Sequence, residues 1–147
     1  MFSDETKLPN ISLEGFQVVR SQYFSRMLEP AMTIWSTSIA FNTISFTALN
    51  NCDMVQILVH EKDKSIIVRP VNSKDPDAVN WKKNNTKYSR LECSAFAKQL
   101  FEMWGLDVNN RYRTMGKVVQ SDKKVMLYFN FKNAESWKGT KLVKEHD

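Results

Sequence analysis

Two short apolar runs in the middle of the chain flank a charged tetrapeptide. Five of the six residues at 54–59 are apolar, and all three at 66–68 are, so each run favours a pleated, buried strand. Residues 61–64 between the runs are all charged, which is typical of a hairpin turn. This pattern predicts a central β-hairpin, and we expect the other elements to be arranged around it.

The residues before this hairpin predict strand structure followed by a short helix. Residues 32–41 are rich in β-branched and aromatic side chains and alternate imperfectly, which indicates one strand or two strands with a turn at 36–38. Asn42 or Thr43 then caps a helix that runs to Leu49, because a side-chain oxygen there satisfies the free amide groups of the first turn.

A helix and a hairpin follow again in the second half of the chain. The apolar residues of 93–104 recur at helical spacing, and Gly105 lies just beyond, where a left-handed residue commonly ends a helix. Residues 111–119 and 125–131 then predict two strands around a charged turn at 121–124.

The order of helix, strand, charged turn and strand therefore occurs twice. We expect an α+β fold, in which an antiparallel sheet is built from two helix-plus-β-hairpin halves and the helices pack on one face. Residues 16–24 predict a first strand or a helix that ends before Pro30, and the tail adds a helical turn near Trp137. The predicted parts are a flexible arm at 1–14, a single domain at 15–131 with halves at about 32–71 and 92–131 and a loop at 72–91, and a tail at 132–147.

Composition places the chain among ordinary globular domains. The 147 residues are 42% apolar and 12% aromatic, enough to build one core. The polar amino terminus does not resemble a signal peptide, and no apolar run approaches the roughly 20 residues of a membrane span. Two cysteines are too few for a disulfide framework. We therefore expect a soluble, cytoplasmic protein with free thiols and no membrane contact.

No pattern of reactive residues indicates an enzyme. The two cysteines and two histidines, Cys52, Cys93, His60 and His146, lack the spacing of zinc ligands. The four glycines build no loop that would hold a phosphate, and no base is placed by the sequence beside a nucleophile. We expect no catalytic residues, no metal and no cofactor.

Charge is distributed unevenly along the chain. Residues 1–60 carry three basic and five acidic residues, whereas residues 61–147 carry 18 basic and 11 acidic residues. A basic surplus confined to the later part is typical of a surface that faces a polyanion. A solvated, lysine-rich surface is the alternative.

The first candidate binding residues lie on the strand predicted at 111–119. Arg111, Arg113 and Lys117 share one face, because odd-numbered positions of a strand point the same way. A row of cations on a strand suits phosphate groups, and strands do read DNA grooves. The alternative is an exposed strand that its charges protect from edge pairing.

A second group of candidates mixes aromatic rings with cations in the loop at 72–91. Such a mixture can stack on bases and hold a nucleic-acid backbone. A loop that uses its aromatic residues to anchor itself to the domain would have the same sequence, so both interpretations stay open. The residues are Trp81, Lys82, Lys83, Lys87, Tyr88 and Arg90.

Three resemblances accompany this pattern. Residues 38–70, SIAFNTISFTALNNCDMVQILVHEKDKSIIVRP, resemble the strand, short helix, strand, turn and strand of AbrB/MraZ-type transcription regulators. The layout with VNW at 79–81 and RYRTMGKVV at 111–119 resembles uncharacterised small proteins of bacterial mobile elements. The paired halves are similar in outline to the TATA-binding-protein fold, whose curved sheet binds the DNA minor groove. The first and third resemblances imply DNA binding and transcription regulation, whereas the second implies only a genetic setting.

We therefore expect a non-enzymatic nucleic-acid-binding protein, with DNA as the expected partner and a transcription regulator of a mobile element as the specific form. The rival function is a protein-interaction module that pairs through its sheet edge or sheet face, including as a homodimer. The apolar run at 54–59 suits such an interface.

Overall fold

One antiparallel sheet organises the part of the chain that the structure describes. The computed structural model describes residues 8–19, 29–82 and 90–144. In those ranges, residues 8–19 form neither a helix nor a strand. The helices are α1 (Thr43–Ala48) and α2 (Ser94–Trp104), and the strands are β1 (Ala31–Ile34), β2 (Ser38–Phe41), β3 (Met54–His60), β4 (Ser65–Pro70), β5 (Val79–Asn80), β6 (Leu91–Glu92), β7 (Arg111–Ser121), β8 (Lys124–Asn130), β9 (Glu135–Lys138) and β10 (Lys141–Lys144).

The sheet curls into a half-barrel around the long strand β7. Its main path runs β5-β3-β4-β8-β7-β1-β2-β6, and the β9-β10 hairpin joins it through β9 and β7. The first part of β7 lies between β1 and β9, with Thr33 and Glu135 both opposite Arg113. From Gly116 onward β7 pairs with β8 instead. The expected antiparallel sheet is confirmed. Strand β7 is shared by its two parts, one with β1 and β9 and the other with β8.

Both predicted hairpins are confirmed. In the central hairpin, β3 and β4 pair from Val55 opposite Pro70 to His60 opposite Ser65. Strand β4 also pairs with β8, so the two hairpins are joined edge to edge. Their shared inner face is fully buried at Ile66, Val68, Leu127 and Phe129, which follows from the two-residue period of a strand.

The two helices lie where the sequence predicts them. Asn42 caps α1, and its side-chain oxygen accepts hydrogen bonds from the amides of Ser45 at 3.1 Å and Ala31 at 3.0 Å. The cap thereby ties the start of α1 to β1. Helix α2 ends at Gly105, whose φ of 64° is the left-handed conformation expected there. Its buried face packs Phe101 and Trp104 into the core.

The sequence-based prediction for the tail is wrong. Trp137 lies on strand β9 and not on a helical turn, opposite Arg111 of β7. The first part of β7 would otherwise leave one edge of hydrogen-bonding groups unpaired, and β9 supplies their partners. Residues 32–41 form two strands, so the alternative with a turn is correct. The sequence predicts a first strand or helix at 16–24, but residues 16–19 form neither, and the remainder lies outside the described residues.

No helix among the described residues is long and apolar enough to cross a membrane.

Gly116 marks the point where β7 passes from one pairing to the other. Its amide donates a 2.8 Å hydrogen bond to the carbonyl of Pro30, and its partner on β8 is Phe129. A Cβ at this position would lie 2.5 Å from two ring carbons of Phe129 and 2.7 Å from the carbonyl oxygen of Tyr128. The ring therefore occupies the space that a side chain at Gly116 would need.

We expect Gly116→Ala to lower the free energy of unfolding by about 1–3 kcal/mol, the usual cost of overpacking a core. Urea denaturation of the variant and the wild type measures this loss. In a Phe129→Leu background the added methyl should cost less, because the ring that it meets is gone. Strictly additive costs in the double variant would contradict the contact.

Candidate nucleic-acid interface

The predicted basic face of β7 is present. Arg111 lies opposite Trp137, and Arg113 lies opposite Thr33 on one side and Glu135 on the other. The alternate residues, such as Thr114, point to the buried inner face. Arg111, Arg113 and Lys117 therefore share the outer face of the sheet, as the alternation predicts.

Two of these three cations lie against aromatic rings of the neighbouring strand. The guanidinium carbon of Arg111 lies 5.1 Å from the ring centroid of Trp137, and Nζ of Lys117 lies 5.5 Å from that of Tyr128. Arg111 also donates a hydrogen bond from Nη1 to the carbonyl of Gly139. Cation–π contacts at exposed sites contribute about 0.5–1 kcal/mol each, enough to orient a side chain without removing it from solvent.

A third cation–π pair, formed by Trp35 and Arg90, lies beside the first. The guanidinium carbon of Arg90 lies 3.8 Å from the ring centroid of Trp35. Trp35 is held in the turn between β1 and β2, where its amide donates a 2.8 Å hydrogen bond to the carbonyl of Ser38. Arg90 directly precedes β6, which pairs with β2. The pairing of β2 with β6 thus brings Trp35 and Arg90 together at one edge of the sheet.

The Trp35–Arg90 and Arg111–Trp137 pairs line one cleft of about 320 Å³, which we call the cation–aromatic cleft. Two guanidinium groups and two indole rings face a common space, and none of the described residues that line it is acidic. Glu135 lies just outside and accepts a 3.3 Å hydrogen bond from the indole of Trp137. The remaining lining residues are Ser36, Val108, Asn109, Asn110 and Gly139. Such a cleft offers stacking surfaces and fixed positive charge to one planar, anionic ligand.

The loop candidates do not all join this cleft. Trp81 is only 2% exposed, packs edge-on against Phe41 and Phe46, and donates a 2.7 Å hydrogen bond from its indole to the carbonyl of Cys52. Of the two interpretations that the sequence leaves open, this geometry favours the anchor for Trp81. Lys82 donates a 3.1 Å hydrogen bond to the carbonyl of Asn51, so it too is engaged within the domain.

Arg90 is the loop candidate that the structure brings to the cleft. Three others, Lys83, Lys87 and Tyr88, lie outside the described residues. The two tryptophans of the cleft, Trp35 and Trp137, were missed by sequence reasoning. A strand assignment for the tail could have marked Trp137 as part of the sheet, but no local signal in the sequence pairs it with Arg111 or connects Trp35 with Arg90.

The carboxylate of Asp63 holds the ring of Tyr128, against which Lys117 lies. The hydroxyl of Tyr128 donates a 2.8 Å hydrogen bond to Oδ2 of Asp63, and Lys132 lies 3.3 Å from its other oxygen. The hydrogen bond from Tyr128, with further ones from Ser65 and Lys132, holds the pKa of Asp63 below its ordinary value. The charged form of Asp63 is therefore favoured in the folded protein.

Burial disfavours the thiolate form of both cysteines. Burial raises the pKa of Cys52 and of Cys93, so both are protonated at neutral pH. The described residues contain no group of three or more histidine, cysteine, aspartate or glutamate side chains that could hold a metal ion.

Comparisons with protein-family models, with curated proteins and with solved structures gave no match to this chain. The resemblances to AbrB/MraZ-type regulators, to mobile-element proteins and to the TATA-binding-protein fold stay predictions.

The Asp63–Tyr128 contact makes stability depend on pH. Because the folded pKa of Asp63 is lowered, its stabilising contribution is complete above the unfolded pKa near 4 and is lost as the pH falls through the folded value. We expect Asp63→Asn to lower the free energy of unfolding at neutral pH and the difference from wild type to narrow at about pH 3.

Urea unfolding at several pH values tests this expectation. The effect of Asp63→Asn on the free energy of unfolding at neutral pH should be smaller in a Tyr128→Phe background, because Tyr128→Phe removes the hydrogen bond and keeps the ring. Parallel pH profiles for the wild type and Asp63→Asn would show that the contact does not stabilise the charged carboxylate.

Proposed function

We propose that this protein binds nucleic acid through the outer face of its sheet, with the cation–aromatic cleft as the centre of the site. The observation that supports the proposal is the pairing of two guanidinium groups, from the exposed Arg90 and the half-buried Arg111, with two indole rings around one cleft. Arg113 and Lys117 extend the positive charge along β7. Proteins that bind nucleic acid by its backbone and base faces combine these two kinds of group.

The geometry favours a single strand over a duplex at this cleft. Indole rings stack on bases only where a base face is accessible, which an intact duplex does not offer in its grooves. A cleft of about 320 Å³ lies at the small end of ligand sites and suits one base at a time. The cations on β7 would then follow the phosphates on either side.

The two-half description of the fold belongs with this proposal. In it, each half is a helix followed by a hairpin, and both helices pack on the inner face. The outer face is then left for the ligand. A DNA-binding transcription regulator that contacts unpaired bases is the specific form that we propose. The rival function of self-association is favoured by a different surface, an apolar cleft lined by residues of the terminal strands β5 and β6.

Fluorescence-polarisation titrations against single-stranded DNA, duplex DNA and RNA at two salt concentrations test the proposal. If the four cations Arg90, Arg111, Arg113 and Lys117 each contact a phosphate of a single strand, the logarithm of affinity should fall with the logarithm of salt at a slope of about −3. Removing Arg111 and Arg113 together should reduce the steepness of that slope by about 1.4.

Separate variants distinguish stacking from charge. Trp137→Ala should weaken binding roughly 5- to 150-fold, the usual range for one base–aromatic contact. Arg111→Lys keeps the charge and removes the planar group, so it should lower affinity without changing the salt slope. Lys98→Ala removes one charge from the exposed side of α2 and is the matched control, for which we expect no change.

Thermal melting of each variant shows whether the domain is intact. The proposal is contradicted if no nucleic acid binds at low salt, or if binding is unaffected by the Trp137 and Arg111/Arg113 variants while they remain folded.

A further inference from the structure

The described amino-terminal residues, 8–19, which we call the arm from here on, present apolar side chains to solvent. Their exposed fractions run from 59% for Val19 to 95% for Val18. None of these residues belongs to the hydrophobic core. Six exposed apolar side chains within twelve residues of chain are a candidate contact with another molecule. The side chains are Leu8, Ile11, Leu13, Phe16, Val18 and Val19.

An apolar cleft of about 630 Å³ lies elsewhere on the same domain, between the two ends of the curled sheet. Strands β5 and β6 end the main path of the sheet, and both contribute lining residues, so we call it the edge cleft. Asp77 and Glu92 bring its only acidic groups among the described residues. The apolar lining consists of Ile39, Ile57, Val79, Leu91, Cys93 and Phe96.

We propose that the arm of a second copy of this chain docks into the edge cleft as an added strand. Strands β5 and β6 have two residues each, and terminal strands offer backbone groups that a further strand can pair with. Residues 16–19 are the segment of the arm that fits best. In extended form, Phe16 and Val18 enter the cleft while Gln17 faces solvent.

The lack of charge on residues 16–19 agrees with this choice. Residues 16–19 carry no charge, so they meet the acidic groups of the edge cleft without repulsion. Glu14 lies outside the segment, beyond a turn in which the amide of Phe16 donates a 3.0 Å hydrogen bond to the carbonyl of Leu13. This turn separates Ile11 and Leu13 from residues 16–19, so these two side chains can cover the rim of the edge cleft.

A second copy is favoured as the source of the arm because the arm lies exposed on its own domain. A foreign peptide in the edge cleft would leave the arm uncovered. When two copies exchange arms, both apolar surfaces are covered and the assembly closes with two-fold symmetry.

Analytical ultracentrifugation of the full chain over a range of concentrations tests the proposal. We expect a dimer for the wild type and a monomer for Phe16→Asp/Val18→Asp. Val143→Asp introduces a charge at an exposed valine of β10, outside the arm and the edge cleft, and should remain dimeric. A wild type that stays monomeric, or a dimer that the arm variant leaves intact, would overturn the proposal.

Mixing two defective variants identifies the contact directly. Val79→Asp places a charge in the edge cleft and should also give a monomer. An arm variant keeps a functional cleft and a cleft variant keeps a functional arm, so their mixture should recover a heterodimer with one docked arm. Failure to form any heterodimer, with both variants folded by circular dichroism, would place the dimer contact elsewhere.

Thiol labelling reports occupancy of the cleft without relying on the oligomeric state. Cys93 lines the edge cleft and Cys52 does not, although both are half-buried. Labelling of Cys93 should be several-fold faster in the arm variant than in the wild type, with Cys52 unchanged. A synthetic peptide of residues 8–19 should restore protection of Cys93. Equal labelling in wild type and variant would mean that the arm does not occupy the cleft.

Discussion

The backbone of β7 has to find hydrogen-bonding partners along eleven residues, and this requirement shapes the sheet. Its first part is paired on both edges, by β1 and β9, and its second part pairs with β8. The change of partner occurs at Gly116, where the absent side chain admits the ring of Phe129. Strand β7 is thus shared by two parts of the sheet, and the curl of the half-barrel follows from this sharing.

This arrangement separates the chemistry of the two faces. The inner face carries the core, where Phe129 contacts Phe41 and Phe41 in turn contacts Trp81. The outer face of the same strands carries the cations of β7. Arg111 and Lys117 are oriented there by rings on the adjacent strands β9 and β8. A row of charges on β7 is therefore positioned by the same pairing that builds the core.

Much of this fold could be predicted because its signals are local. Both hairpins follow from two-residue alternation around charged turns, and α2 follows from helical spacing that ends at Gly105. The strand β9 could not be predicted in this way, because its partner lies about 25 residues earlier on β7 and no local pattern records the pairing. The cation–aromatic cleft could not be predicted for the same reason, since its residues come from parts of the chain that are distant in the sequence. Arg111 is visible in an alternating run, whereas Trp35 and Arg90 meet only through the pairing of β2 with β6.

Incomplete closure of the sheet connects the two surfaces proposed for binding. Arg90 and Leu91 are adjacent in the chain, yet Arg90 lines the cation–aromatic cleft and Leu91 lines the edge cleft. Among the described residues the two clefts share no lining residue, so an arm in one does not fill the other. A dimer formed by arm exchange would carry two cation–aromatic clefts related by symmetry. Two sites on one strand of nucleic acid bind more tightly than one, because the second contact forms at the high effective concentration set by the first. Self-association would then raise affinity for nucleic acid without any new contact to it, and loss of the arm would weaken binding while leaving each cleft intact.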